Sequence, residues 1–143
     1  MPKYIPSSTK WVAEQVRIYE ASGGTQGTTL KGLPVIIVSN IGSKTGALRK
    51  TPLMRVVYKN CYVLIASQGG APTHPLWYYN LMANPYVEIQ DESKIFSMVT
   101  KEINDLEEKR CLWDIAVDAY GPYADYQKKT ERIIPIFLAE LIE

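Results

Sequence analysis

Hydrophobic residues follow helical spacing near the start of the chain and strand-like spacing over much of the remainder. Val12, Val16 and Tyr19 recur at i, i+4 and i+7, which predicts an amphipathic helix over residues 9–21. Later β-branched runs and polar–apolar alternation predict strands over residues 34–39, 51–58, 61–66, 86–90, 94–103 and 132–141. Pro135 lies inside the last of these strands and favours an edge or bulge position for it. Further helices are predicted over residues 76–83, 104–120 and a short tyrosine-bearing stretch before the last strand.

Short turns between the predicted strands favour an antiparallel sheet. Lys59 and Asn60 form a two-residue hairpin candidate, and residues 91–93 form the turn before the next long strand. A small antiparallel sheet with few helices tends to close into a barrel. At 143 residues the chain has the size of one domain. We therefore predict a single α+β, mainly antiparallel domain over residues 1–143. Residues 1–30 would form an N-terminal helix and linker, and residues 31–143 a β-barrel with flanking helices.

The charges are distributed unevenly along the chain. The formal net charge is only +1, which argues against a general nucleic-acid binder. Residues 1–60 nevertheless carry a net charge of +7 and residues 61–143 a net charge of −6, and the 67 residues between Glu20 and Glu88 contain no carboxylate. A basic segment of this kind suits a ligand that carries phosphate or carboxylate groups. The alternative is a basic surface that pairs with the acidic second half across the fold.

Several chemistries lack the residues that they require. The carboxylate-free segment cannot supply the paired acids of a glycosidase or the ligands of a magnesium ion. His74 is the only histidine, and no Gly-x-Ser-x-Gly motif accompanies it, so a serine hydrolase is not expected. Cys61 and Cys111 lack zinc-site spacing and are expected to be reduced. These gaps also lead us to expect no bound metal. No secretory signal is recognisable, and no apolar run approaches the ~20 residues that cross a bilayer, so we expect a cytoplasmic protein.

Residues 42–49, here called the basic turn, form the first segment with candidate binding chemistry. Gly42 and Gly46 free the backbone to turn and expose N–H groups. The side chains that add hydrogen-bond donors are Ser43, Lys44, Thr45 and Arg49. This combination suits a phosphate group. The segment is neither a P-loop nor a dinucleotide-binding glycine motif, and an ordinary solvated hairpin turn is an equal alternative.

Residues 66–72, here called the glycine loop, form the second segment. Gly69 and Gly70 follow a predicted buried strand and would let a flat ligand approach the backbone closely. The helix that begins after Pro75 offers a second place where an anion is favoured. Within that helix, Trp77 and Leu81 are spaced as i and i+4 and are expected to lie in the core.

Tyr120, Tyr123 and Tyr126, here called the tyrosine cluster, form the third segment. A spacing of three residues would place them on one face of a helix. Tyrosine provides a planar apolar wall and a hydroxyl that remains a proton donor near neutral pH. Amphipathic packing of a terminal helix is the alternative interpretation.

Taken together, the three segments resemble the deazaflavin-dependent nitroreductase and quinone reductase family of actinobacteria. The matching blocks are Gly42-Ser-Lys-Thr-Gly46 … Arg49 … Pro52-Leu53, Ala66-Ser67-x-Gly69-Gly70 … Pro75-x-Trp77-Tyr78-x-Asn80-Leu81-x-Ala83-Asn84-Pro85-x-Val87, and Tyr120-x-x-Tyr123-x-x-Tyr126 … Thr130-x-Arg132-x-Ile134-Pro135. The resemblance covers about residues 30–138. It implies a split β-barrel of the FMN-binding-like type that binds coenzyme F-420, an 8-hydroxy-5-deazaflavin with a phospholactyl-oligoglutamate tail. The implied activity is hydride transfer to a quinone, a nitroaromatic compound or another conjugated acceptor.

The resemblance also implies roles for individual residues. Lys44 and Arg49 would hold the phosphate and the polyglutamate tail, while Trp77 and Asn80 would brace the pocket. The acceptor would face the implied catalytic residues, which are Ser67, Tyr120, Tyr123 and Tyr126. The complete implied cofactor-binding set is Ser43, Lys44, Thr45, Arg49, Pro52, Ala66, Ser67, Gln68, Gly69, Gly70, Trp77 and Asn80.

Two positions depart from the nitroreductase pattern, because Gln68 replaces a lysine and Met54 replaces a tyrosine. The first change would remove one tail contact, and the second would alter the acceptor pocket.

Two alternatives stay open: an enzyme of the same barrel type that uses FMN, and a non-catalytic cofactor or ligand carrier. The expected partners are a small-molecule acceptor and no nucleic acid. The N-terminal helix is expected to dock on the barrel, on a partner or weakly on the inner face of the cell membrane, and the chain to be a monomer or a homodimer.

Overall fold

The computed structural model describes residues 2–142, which fold into one curled antiparallel sheet with helices against it. The strands are β1 (Thr29–Leu30), β2 (Leu33–Ile41), β3 (Leu48–Met54), β4 (Val57–Tyr58), β5 (Cys61–Ile65), β6 (Tyr86–Asp91), β7 (Lys94–Glu102) and β8 (Ile136–Leu141). The helices are α1 (Lys10–Ala21), α2 (Leu76–Ala83), α3 (Leu106–Ala119) and α4 (Pro122–Lys128), with a 3₁₀ turn over Gln68–Gly70. The predicted α+β, mainly antiparallel class is confirmed.

The strands follow the order β1-β2-β6-β7-β8-β5-β4, and β3 pairs with β2. Every pairing between these strands is antiparallel. The sheet does not close, because β3 pairs only with β2 among the strands and β5 continues into the glycine loop. The barrel is therefore split beside β3.

Side chains alternate between the two faces of the sheet and build two apolar layers. The inner layer is filled by α2, which contributes Trp77 and Leu81, as expected from their spacing. Its strand residues include Ile36, Val38, Leu64, Ile89, Met98 and Phe137. The outer layer lies under α1, α3 and α4, and its strand residues include Val35, Ile37, Val63, Ile65, Ile136 and Leu138. These layers hold the ends of β3, β5 and α4 around the opening of the barrel.

The N-terminal helix docks on the barrel. Val16 and Tyr19 of α1 are fully buried in the outer layer. The Tyr19 hydroxyl accepts a hydrogen bond from the Glu92 N–H group (2.7 Å) and lies 3.1 Å from the Val35 carbonyl. Ahead of the helix, residues 3–5 run beside the start of β3, where the Leu48 N–H donates to the Lys3 carbonyl (2.9 Å). Within residues 2–142, no helix is long and apolar enough to cross a membrane.

Two predictions about the strands are wrong, and one short strand was missed. Residues 51–58 form two strands rather than one, because the chain leaves β2 after Met54 and pairs next with β5. The prediction of a last strand over residues 132–141, with Pro135 inside it at an edge or a bulge, is also wrong, since β8 begins at Ile136 and pairs with both β5 and β7. Pro135 lies just before β8, and its carbonyl accepts from the Ala66 N–H group (3.0 Å), so its missing N–H removes no ladder bond. The sequence patterns also missed the two-residue strand β1.

The capping-box pattern of Asn104 and Glu107 predicts Asn104 as the N-cap of the third helix, but the cap lies one residue later. Asp105, rather than Asn104, occupies the N-cap and accepts a hydrogen bond from the Glu108 N–H group (2.9 Å). Asp and Asn are both favoured at this position, so the pattern alone did not distinguish them.

Candidate functional site

A cavity of about 1200 Å³ occupies the opening of the barrel. Its walls are β3, the end of β5, the glycine loop, the start of α2, the tyrosine cluster and the segment that leads into α1. The lining residues among residues 2–142 include four cationic side chains, those of Lys31, Lys44, Arg49 and Lys50, and no carboxylate. Residues 61–142 contribute Tyr79, Tyr120, Tyr123 and Tyr126 to this cavity, and none of the acidic side chains in that range lines it. The charge pattern therefore reflects a cationic cavity.

The open edge of β3 forms one wall. Because the Leu48 N–H and C=O groups both bond to residues 3–5, alternation along the strand turns the backbone groups of Lys50, Pro52 and Met54 toward the same edge. Pro52 lacks an N–H group and is tolerated there because β2 needs no donor from it. The structure thus gives a physical reason for a proline inside this strand.

The basic turn projects above that wall and is held by helix α2. The Ser43 N–H group donates to Asn80 Oδ1 (2.9 Å), and Asn80 Nδ2 donates to Asn40 Oδ1 (2.8 Å). Asn40 and Asn80 are both buried, whereas Ser43 and Lys44 are exposed. Asn80 therefore positions the turn from below, while the hydroxyl and ammonium groups of the turn remain available to a ligand.

The glycine loop is held in place by Arg132. Its guanidinium donates to the carbonyl oxygens of Ser67 (Nη2, 2.7 Å), Ala71 (Nε, 2.9 Å) and Ala66 (Nη1, 3.1 Å). Nη1 also lies 3.0 Å from Nδ1 of His74. Partial burial and the neighbouring Arg132 lower the pKa of His74, so the ring is neutral at pH 7 and can accept that bond. His74 thus has a structural role beside the glycine loop.

The two glycines of this loop have different tasks. Gly69 lines the cavity with φ +64°, and a Cβ atom added there would meet nothing within 4 Å. Gly70 faces away from the cavity with φ +83°, and a Cβ atom there would lie 2.7 Å from the Tyr126 carbonyl oxygen. Gly69 leaves room beside the cavity, whereas Gly70 permits helix α4 to pack against the loop.

The tyrosine cluster forms the wall next to the glycine loop. Tyr120 caps the end of α3, and Tyr123 and Tyr126 lie on α4, in agreement with the predicted helix end at residue 120 and the short tyrosine-bearing helix after it. The three tyrosines therefore do not lie on the face of a single helix, which their spacing alone would suggest. They still meet, with the ring of Tyr123 edge-on to those of Tyr120 (4.9 Å) and Tyr126 (6.1 Å). Burial raises the pKa of Tyr123, and burial is also the largest cause that raises the pKa of Tyr126 to about 12. Both hydroxyls therefore keep their protons at neutral pH.

All but two of the predicted site residues line this one cavity. Ala66 is fully buried, and its backbone bonds to Pro135 and Arg132, so it supports the loop from behind. Gly70 contacts α4 instead of the cavity. The predicted residues that do line the cavity are Ser43, Lys44, Thr45, Arg49, Pro52, Ser67, Gln68, Gly69, Trp77, Asn80, Tyr120, Tyr123 and Tyr126. Met54, one of the two departures from the family pattern, lines it as well.

Sequence reasoning missed several further residues at this site. Lys31 touches the tyrosine cluster, Arg132 holds the glycine loop, and the apolar rim is formed by Trp11, Leu76 and Tyr79. The Lys31-Gly32 pair between Leu30 and Leu33 is a hairpin signal that could have indicated a turn there. No local pattern indicates that this turn ends beside Tyr120.

Comparison with known proteins decides the family. The chain matches the family described as F420H(2)-dependent quinone reductase over residues 11–140. The protein belongs to this family. The resemblance read from the three segments is therefore confirmed, and the chain is an oxidoreductase.

Relatives and solved structures agree with the membership of this family. An F420H(2)-dependent quinone reductase of Mycobacterium tuberculosis is 36% identical over 123 residues, which cover 83% of this chain and 82% of that protein. A solved structure titled as an F420-H2 dependent reductase (FDR-A) is 44% identical, has a TM-score of 0.69 and covers 75% of this chain and 94% of its own. Another, titled as a domain-swapped dimer, is 42% identical, has a TM-score of 0.73 and covers 94% of this chain and 100% of its own.

Proposed function

We propose that this protein transfers a hydride from reduced coenzyme F-420 to a quinone or a similar conjugated acceptor. The observation that carries the proposal is one cavity whose described lining combines four cationic side chains with the tyrosine cluster and includes no carboxylate. The cationic side chains suit a polyanionic tail, and the tyrosines suit a planar acceptor whose oxygen gains negative charge. The names of the family and of its mycobacterial relative support the same activity.

The residues of the cavity fit the coenzyme. Lys44 and Arg49 would hold the phosphate and glutamate groups of the tail, with the hydroxyls of Ser43 and Thr45 as further donors. Gly69 leaves open space where any other residue would place a Cβ atom, which suits a flat ring against the backbone. The amide of Gln68, whose Nε2 lies 3.3 Å from the Thr73 hydroxyl oxygen, supplies no charge for the tail.

When it is bound, the reduced coenzyme supplies the hydride, so the protein needs no nucleophile of its own. The tasks of the chain are to hold the acceptor against the ring and to donate hydrogen bonds to its oxygen. Ser67 and the tyrosine cluster line the wall where such donors are needed. The absence of carboxylates from the described lining is compatible with this chemistry, because neither task requires a carboxylate.

We expect Lys44→Ala to weaken binding of the coenzyme about fivefold at low salt, and the loss to shrink at high salt because exposed charges are screened. Trp11 and Trp77 line the cavity, so a tryptophan-fluorescence titration reports binding directly. Lys59→Ala is the matched control, since Lys59 lies outside the cavity lining.

The same titration compares the tailed coenzyme with a tail-less deazaflavin and with FMN. Preference for the tailed coenzyme supports the proposal. Preference for FMN would indicate the alternative cofactor, and tight binding without turnover of any acceptor would indicate a carrier. Equal affinity of Lys44→Ala and the unmodified protein would remove the basic turn from the tail site.

We expect Tyr123→Phe to lower kcat about tenfold or more while coenzyme affinity stays nearly constant. The Tyr123 ring is buried in the wall, so the substitution removes a hydroxyl donor without changing the packing. Steady-state quinone reduction and the fluorescence titration measure the two quantities. Tyr86→Phe is the control, because Tyr86 is exposed on β6 and lies outside this cavity. Unchanged kcat would exclude the Tyr123 hydroxyl from the reaction.

We further propose that the protein works in the cytoplasm at the inner face of the membrane, with weak peripheral binding. Support comes from the exposed apolar side chains of Trp11, Leu76 and Tyr79 at the mouth of the cavity. Cosedimentation with anionic vesicles measures this binding, and Trp11→Ser should reduce it.

A homodimer is proposed from the solved relative titled as a domain-swapped dimer, and light scattering after size-exclusion chromatography measures the mass.

A further inference from the structure

We propose that Lys31 is a positioning residue that orients the hydroxyl pair of Tyr120 and Tyr126, so that Tyr126 presents its proton to the acceptor. This inference rests on the proposed function. Lys31 Nζ lies 3.2 Å from the Tyr120 hydroxyl, and that hydroxyl lies 2.8 Å from the Tyr126 hydroxyl. All three residues line the cavity.

The direction of the chain of hydrogen bonds follows from the donors available. An ammonium group can only donate, so the Tyr120 oxygen accepts from Lys31. Donation from the ammonium also polarises the Tyr120 hydroxyl and makes it the stronger donor of the pair, which favours the arrangement in which its single proton is directed to the Tyr126 oxygen. The Tyr126 hydroxyl has no other hydrogen-bond partner in the described part of the chain, so its own proton points to a molecule in the cavity. Without Lys31, either hydroxyl could donate to the other.

The position of Lys31 is set by backbone structure. Lys31 and Gly32 have φ values of +54° and +77° and form the tip of a two-residue hairpin between Leu30 and Leu33. Two consecutive positive φ angles match the turn that suits the twist of a hairpin. Leu30 is packed against the outer apolar layer, which anchors the turn beside the tyrosine cluster. The ammonium is also 5.9 Å from the centre of the Tyr120 ring.

The charge of Lys31 is not neutralised within the structure. The ion pairs found among residues 2–142 involve Arg17, Lys50, Arg55 and Lys101, and none of them includes Lys31. The charge can therefore act through Tyr120 and Tyr126 on an acceptor oxygen that becomes negative. Because Lys31 is an exposed residue, it can also exchange protons with water.

The protons and electrons balance in this arrangement. A quinone becomes a quinol when it gains one hydride and one proton. The hydride comes from the reduced coenzyme, and the proton comes from the Tyr126 hydroxyl. Tyr126 recovers a proton from Tyr120, Tyr120 recovers one from Lys31, and Lys31 recovers one from water. Each residue thus ends the cycle in its starting state.

The test uses two probes that bind without turnover when the coenzyme is absent. One is 2-hydroxy-1,4-naphthoquinone, which is an anion at neutral pH and imitates the charge on the acceptor oxygen. The other is neutral 1,4-naphthoquinone. We expect Lys31→Met to lower the affinity for the anionic probe about fivefold and to change the affinity for the neutral probe less than twofold, as measured by tryptophan fluorescence. Lys31→Arg should restore the affinity, since it keeps a cationic donor.

Lys59→Met is a closely matched control. Lys59 also has a positive φ (+55°) at the tip of a two-residue hairpin, and its ammonium lies 5.2 Å from the centre of a tyrosine ring, that of Tyr58. The variant removes the same charge away from the cavity and should leave both probes unaffected. In a Tyr120→Phe background the effect of Lys31→Met should disappear, because Lys31 acts through that hydroxyl.

In turnover assays with the coenzyme, Lys31→Met should lower kcat about fivefold and leave the dissociation constant of the coenzyme unchanged. Equal affinity of Lys31→Met and the unmodified protein for the anionic probe would overturn the inference, as would an equal loss for both probes or the same loss in Lys59→Met. If the coenzyme itself does not bind, the proposed function fails, whereas the two probes still test the role of Lys31.

Discussion

Gly70→Ala is expected to lower the free energy of unfolding by about 3 kcal/mol, through left-handed backbone strain and steric overlap. The added Cβ atom would lie 2.7 Å from the Tyr126 carbonyl oxygen and 3.0 Å from both the Tyr126 Cα and the Lys129 Cβ atoms. Two of these are backbone atoms of α4 and cannot rotate away. The helix would have to move, and with it the wall that carries Tyr123 and Tyr126.

Gly69→Ala separates the two causes. Gly69 has a similar φ (+64°), but a Cβ atom there meets nothing within 4 Å, so only the backbone strain applies. We expect this control to lose about 1 kcal/mol in chemical denaturation. If the two variants lose equal stability, the packing of α4 on the glycine loop does not depend on the missing Cβ atom. Quinone reduction by the Gly70 variant at a temperature where it is folded should also be impaired, because the tyrosines are displaced.

Replacement of Arg132 by methionine should reduce both stability and coenzyme affinity. The substitution keeps the apolar stem and leaves the carbonyls of Ala66, Ser67 and Ala71 without their charged donor. We expect a loss of about 2–4 kcal/mol in the free energy of unfolding, since hydrogen bonds to charged groups contribute more than neutral ones. Coenzyme affinity should fall roughly tenfold, because binding would then have to order the loop that carries Gly69.

Arg132→Lys is the informative comparison. It keeps the positive charge but cannot reach four acceptors arranged around a planar group. We therefore expect it to recover less than half of the lost stability. Full recovery by lysine would mean that charge alone, and not the forked geometry of the guanidinium, holds the glycine loop. Urea denaturation and the fluorescence titration measure the two effects.

The repeating patterns of the chain predicted most of the fold. The helix over residues 9–21 agrees with α1, because its apolar stripe is complete within the segment. The helix over residues 76–83 agrees with α2, because Pro75 and Asn84-Pro85 mark its two ends. The pairing of the strands was harder to predict from the sequence. The break between β3 and β4 and the central position of β8 depend on which strands pair, and pairing is decided by residues distant in sequence.

The candidate site divides in the same way. The basic turn, the glycine loop and the tyrosine cluster are local segments with recognisable chemistry, and the family resemblance connected them before any geometry was known. Arg132 lies in the block Thr130-x-Arg132, yet its contact with Ser67 spans 65 positions of sequence. No local sequence pattern indicates which loop a long cationic side chain will contact.

By itself, the sequence determined the helix and strand periodicities, the carboxylate-free segment between Glu20 and Glu88 and the family to which this reductase belongs. Each of these properties is carried by residue types and short spacings, which do not depend on the rest of the fold. Only the tertiary structure decided that Lys31 meets Tyr120 across 89 positions, or that Gly69 faces the cavity while Gly70 faces α4. Those relations depend on the register of the β1–β2 hairpin and on the packing of α4, which set where each backbone atom points.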